Sequence, residues 1–199
     1  TITGGGTISA KGGNTTISGD GTLRISGGQF TAGADGRDLV LAMGGGLIDL
    51  QSGAAMDNGG WQSVTWTDNK ASLNVNGTFD VWDGQNVFVD ALTGSGSVTI
   101  GNVTWSALNT TLSVGLNGGS GTFGGVISGT GSGDDTLNLT KQGSGTQTLS
   151  GANSYTGLTN IHAGTLVAAN NTALGAGGHN GNTMTFIHDG ATLAMQGGI

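Results

Sequence analysis

The residues best suited to chemistry in this sequence are Asp134 and Asp135, with His179 farther along the chain. Paired carboxylates are what glycoside hydrolysis needs, one to activate water and one to protonate the leaving oxygen. No basic cluster accompanies them to hold an anionic sugar chain, and an Asp pair in a Gly/Ser run reads first as a solvated turn. The same run, Gly131-Ser132-Gly133-Asp134-Asp135-Thr136-Leu137, approaches a calcium-binding nonapeptide, with Thr130 where the first glycine belongs. Such ions are shared between successive turns and no adjacent copy is present. Asp134 and Asp135 are therefore weak Ca²⁺ candidates, with Asp80 and Asp83 a looser oxygen-rich spot. His162, His179 and His188 do not stand at a transition-metal spacing along the chain, and a chain without cysteine is a poor zinc binder. No Gly-x-Ser-x-Gly elbow in a strand–helix context supports a nucleophilic serine. The expectation is a non-enzyme with no catalytic residues, no transition-metal site and no cofactor beyond an optional Ca²⁺.

Four tryptophans, Trp61, Trp66, Trp82 and Trp105, stand out in a chain that is otherwise poor in aromatics. Flat exposed indoles beside Asn and Asp suit sugar stacking, which makes Trp61, Trp66 and Trp82 the candidate binding residues for a glycan or partner. The competing role, covering a corner or filling the interior, is the favoured one.

The elements that must position these residues follow from composition. Glycine supplies 43 of 199 residues; proline and cysteine are absent, and all twelve acidic residues are aspartate. Thr, Ser, Asn and Gly favour strands and turns over helices. Glycine without a three-residue period excludes collagen, and a hydrophobic share of 35% with spaced Ile, Leu, Val and Phe argues against disorder. A net charge of −7 with five basic residues is a poor surface for nucleic acid or anionic lipid. No signal peptide and no 18-residue apolar run is visible, so contact with a membrane is expected only through another part of a parent chain. Because Thr1-Ile2-Thr3-Gly4 already reads as strand and turn, the chain is expected to be an excised or processed piece of something longer.

A short motif recurs: a small pair such as Gly-Thr, then apolar residues at alternate positions. Anchors at Leu23, Leu47, Phe79, Val98, Phe123, Gln147, Leu166 and Leu193 give gaps of 24, 32, 19, 25, 24, 19 and 27 residues, with a mean of about 24, within the span of solenoid repeats. A second alternating strand precedes most anchors, so each period reads as strand, glycine corner, strand and a variable return. Such a coil cannot bury its own apolar face, whereas stacked coils can. The expected fold is an all-β, single-stranded parallel β-helix of about eight coils, one segment over 1–199. The 32-residue gap contains 51–72, expected to be a long loop or insertion or to carry an extra hairpin, and such insertions often lie on the binding face.

The densest stretch, 136–168, carries Leu139, Lys141, Gly143, Gly145, Thr146, Leu149, Gly151, Asn153, Tyr155, Gly157, Thr159, Ile161, Gly164 and Leu166. At these positions it resembles the passenger-associated repeat of bacterial autotransporters. Gln147 departs from the pattern, a polar residue where the family usually has an apolar one, leaving that coil underpacked or its Gln paired along the stack. The distinctive residues fall on odd numbers from Leu137 to Ile161 and on even numbers after Gly164, which predicts a corner there with both apolar faces inward. Asn153 is placed to bridge stacked turns and Tyr155 to close a corner. The resemblance implies a right-handed β-helix in a secreted or surface-displayed bacterial protein, with adhesive or scaffold roles and no shared catalytic residues.

The functional expectation is an extracellular structural or adhesive module that acts by rigid display and end-to-end self-association. Its partners would be further copies, or a host, matrix or glycan surface. One alternative is a polysaccharide-cleaving enzyme, since Asp134, Asp135 and His179 faintly resemble the acidic pair and histidine of pectin-cleaving β-helix hydrolases. The other is a calcium-stabilised repeat module.

Overall fold

A computed structural model describes residues 15–31, 39–57, 64–81, 86–100, 109–129, 136–176 and 184–199. Among these residues there is no helix, and every strand pairing is parallel. The molecule is a parallel β-solenoid. Its first three coils are β1 (Thr15–Gly19), β2 (Thr22–Ile25) and β3 (Gly28–Thr31); β4 (Leu39–Met43), β5 (Leu47–Leu50) and β6 (Ala54–Asp57); and β7 (Val64–Trp66), β8 (Ser72–Val75) and β9 (Thr78–Asp80). The next two are β10 (Asn86–Val89), β11 (Leu92–Thr93) and β12 (Ser97–Thr99), then β13 (Asn109–Val114), β14 (Gly121–Phe123) and β15 (Val126–Ile127). Two-stranded levels follow: β16 (Thr136–Lys141) with β17 (Thr146–Leu149), β18 (Thr159–Ile161) with β19 (Thr165–Ala168), and β20 (Thr185–Ile187) with β21 (Thr192–Met195).

Three walls result. The first runs β1-β4-β7, then β10-β13-β16-β18-β20. The second runs β2-β5-β8-β11, then β14-β17-β19-β21, and the third is β3-β6-β9-β12-β15. Alternation along each strand sends one side chain in and the next out, so inward residues of successive coils stack in columns. Ile48, Leu73 and Leu92 form one such column, and Met56, Phe79, Val98 and Ile127 another, all almost fully buried. Each contributes about 1.5–3 kcal/mol relative to exposure, and this repeated burial holds coils together that could not fold singly.

Three expectations need correction. In the first five coils the variable return is itself a strand of the third wall, too short and too interrupted by glycine to show as a regular alternation. Phe79 and Val98 therefore belong to that third wall, whereas Leu23, Gln147, Leu166 and Leu193 lie on the second; Leu47 pairs with Thr22, one residue off register. Mixing two walls created the 32-residue gap. In the real register Leu23 pairs with Ile48 and Ile48 with Leu73, two equal steps of 25 residues. The stretch 51–72 is accordingly not one loop or insertion: it supplies β6 and β7 to the walls, and 58–63 within it lies outside the described residues.

On the outer side of the second wall, Arg24, Asp49 and Asn74 occupy one register row. Arg24 Nε donates to Asp49 Oδ2 at 2.7 Å, while Gln51 Nε2 and Asn74 Nδ2 donate to Asp49 Oδ1 at 2.7 and 2.8 Å. Burial by itself raises the carboxyl's pKa, but the bonds from Asn74, Arg24 and Gln51, with the Arg24 charge, outweigh it and hold Asp49 below the ordinary value of 3.8. A lowered folded-state pKa gives stability that is present above the unfolded-state value and lost as pH falls through the folded-state value. Asp49→Asn is expected to lower neutral-pH stability by about 1–2 kcal/mol. It should also flatten the acid limb of the stability curve, measured as urea midpoints from neutral pH down past 3.8.

Candidate functional site

The coil at 136–168 joins its neighbours through polar side chains as well as apolar ones. Strand alternation turns Lys141 inward, where it is fully buried. Its ammonium donates to the carbonyls of Gln142, Gly143 (2.9 Å) and Ala163 (3.2 Å), so it ties the corner after β16 to the corner after β18. Burial lowers its pKa, and the Asp90 carboxylate opposes that effect. Asn153 accepts the Ile127 N–H at 2.9 Å and donates to Ala173 O at 2.7 Å, bridging the coils on either side. The Tyr155 hydroxyl bonds Thr159 Oγ1 at 2.7 Å; burial pushes its pKa up to about 12, with the Thr159 bond opposing. Gly164 turns the corner with φ +66°, and its position lies against the carbonyls of Gly143 and Gly145.

Gln147 has the least expected partner. The second wall's hydrogen-bond ladder is interrupted between β11 and β14 and resumes at the bridge between Gly94 and Phe123. Gln147 is 1% exposed; its Nε2 donates to Leu92 O at 2.8 Å and its Oε1 accepts the Leu92 N–H at 3.1 Å. The carboxamide passes over Gly121, its register partner in the intervening coil, and stands in for the missing strand contact. Gln147 thus pairs along the stack.

Of the sequence candidates, Trp66 is inside. It is 4% exposed and meets Phe79 edge to face at 5.8 Å and 71°. That leaves Trp66 no sugar-stacking role and gives it the favoured one, filling the interior: β7 begins inward with Val64, so alternation directs Trp66 inward too. Trp61, Trp82, Trp105, Asp83, Asp134, Asp135 and His179 lie outside the described residues. Asp80 is half-buried at the end of β9. A groove on the outer first wall is lined by Asn109, Thr136, Asn138, Thr156, Leu158 and Met184. Its polar groups are engaged within the stack: Thr136 with Asn109, Asn138 with Thr110 O and the Leu158 N–H, and Thr156 with Gly129 O.

Two features were missed by linear reading. His162 and His188, without a metal spacing along the chain, stack with ring centroids 4.1 Å apart. At the β20–β21 level, residues at core-column positions are open: Ile187 is 52% and Met195 69% exposed, beside Phe186 at 41% and Met184 at 51%. A depression there is lined by Ala168, Leu174, Leu193, Met195 and Ile199 with Asn170 at its rim.

These features define a β-solenoid whose repeat unit is a stacking device rather than a pocket. Residues 139–168 match the family model of the passenger-associated-transport-repeat, so the chain carries that repeat and fits an autotransporter passenger module. No curated protein and no solved structure matches the chain.

Proposed function

We propose that this chain is an extracellular structural and adhesive module of a secreted or surface-displayed bacterial protein, and that copies of it associate with one another. The observation that supports this reading is the stack of parallel coils together with the passenger-associated repeat at residues 139–168. Within the stack the inward columns run on from coil to coil, Ile161 to Ile187 and Ala168 to Met195. The rod would act by shape, offering rows of Thr and Asn to a glycan or matrix surface.

Sedimentation velocity over a rising concentration series tests the association. The wild-type chain should gain mass with concentration. A wild-type chain that stays monomeric at high concentration would remove self-association from the proposal. Failure to bind any surface in a panel of glycans and matrix proteins would remove adhesion.

A further inference from the structure

We propose that His162 and His188 form a two-imidazole site for a divalent transition ion such as Cu²⁺, Zn²⁺ or Ni²⁺, which clips the β20–β21 level onto the coil beneath it. Ile161 pairs with Ile187 in parallel register, so the residues that follow them stand opposite each other at the same corner. Both backbones are fixed there: the His162 N–H donates to Lys141 O at 2.8 Å and the His188 N–H to Ile161 O at 2.9 Å. Both side chains are exposed, and their rings lie 4.1 Å apart at an interplanar angle of 22°.

Imidazole nitrogen is the ligand these ions share. Bonds of about 2.0–2.1 Å to a tetrahedral centre place two nitrogens about 3.3 Å apart. Both rings are exposed, so rotation about their side-chain torsions can turn a lone pair of each toward one shared ion. Solvent can fill the remaining positions, and Asp189, exposed and next to His188 in sequence, supplies a nearby carboxylate. The buried Lys141 ammonium bonds the carbonyl of Ala163, next to His162, so local charge does not favour cations in general. Selectivity should follow imidazole affinity, and Ca²⁺ and Mg²⁺, which take oxygen ligands, should not compete.

Every residue of β20 is exposed. The two histidines are 26 positions apart and meet only in the folded register, so an ion held by both stabilises the folded state by mass action.

Calorimetric titration and thermal melting of the whole untagged chain with CuCl₂ or ZnCl₂ test the site. The expected result is saturation at one equivalent, a rise in Tm that EDTA reverses, and nitrogen hyperfine structure from two imidazoles in the Cu²⁺ resonance spectrum. CaCl₂ and MgCl₂ should leave Tm unchanged. His162→Ala and His188→Ala should each weaken binding by about 10- to 100-fold or more, since losing a ligand is at least as severe as losing an outer partner. Each should also abolish the Tm gain, while His179→Ala leaves both intact. Absence of saturable binding, wild-type affinity in either single variant, or dependence on His179 instead would overturn the proposal.

Discussion

Replacing Gln147 by leucine, the type of residue usual at its position in the passenger-associated repeat, is expected to destabilise the protein by about 2–4 kcal/mol. For a chain of this size that lowers Tm by roughly 5–15 °C. The gain in apolar character is real, because the side chain is 1% exposed inside the stack. What outweighs it is the state of Leu92. That residue is fully buried, and β8 bonds the flanking Ala91 carbonyl through the Leu73 N–H, leaving the Leu92 groups directed toward β14. The ladder is broken there, and the Gln147 carboxamide is the group that meets both. Leucine would leave a buried donor and a buried acceptor unmatched, each costing about 1–3 kcal/mol. Glutamate would keep an acceptor, lose the donor and bury a charge, so it should do worse than leucine at neutral pH. Denaturant midpoints, with amide exchange at Leu92 as the local readout, check this. A leucine variant as stable as wild type would mean that the Leu92 groups find other partners.

The repeat was legible because its side chains obey a strict two-residue period. From Leu137 to Ile161 the odd-numbered positions face inward, and the switch at Gly164 turns Leu166 and Ala168 into the same core. Asn153 and the coil-to-coil use of Gln147 were open to the same reasoning. The third wall was not, because its strands run to as few as two residues, as in Val126–Ile127, and one or two residues carry no period. Sequence alternation alone therefore places Phe79 and Val98 in the wrong column, which makes 51–72 look like a loop.

The sites were less legible than the fold for a related reason. In a solenoid, spatial neighbours are one coil apart, and the coil length varies from 19 residues between Gln147 and Leu166 to 29 between Val98 and Ile127. No fixed spacing exposes the pairing of His162 with His188 until the register is known. An indole beside polar residues suits sugar binding as well as the interior, and for Trp66 the parity of β7 decides that it points inward.

A column of close backbone contacts yields the second large effect. Gly77, Gly96, Gly125 and Gly151 succeed one another at the corner between the second and third walls. A Cβ at each would lie 2.0, 2.1, 2.0 and 1.7 Å from a carbonyl oxygen of the coil before it, namely that of Ala54, Gly77, Gly96 and Gly125. Those atoms are backbone, held by their own ladders, so they cannot swing aside as a side chain would. Gly151→Ala must push the coil of β16 and β17 away from that of β13–β15, weakening the Asn153 bond to Ile127 and the burial of Leu149 at once. The expected loss is about 3 kcal/mol or more, at the upper end of overpacking effects, and it should appear as a lower Tm with early amide exchange in β15 and β17. Gly125→Ala should match or exceed it, because its added carbon also meets the Phe123 ring at 2.6 Å. Gly27 supplies the opposite sign: a Cβ there meets nothing within 4 Å and its φ is not positive. Gly27→Ala should be neutral or stabilising by about 0.4–1 kcal/mol through the unfolded chain. Equal melting temperatures for Gly151→Ala and Gly27→Ala would show that the coils are not in backbone contact at this corner.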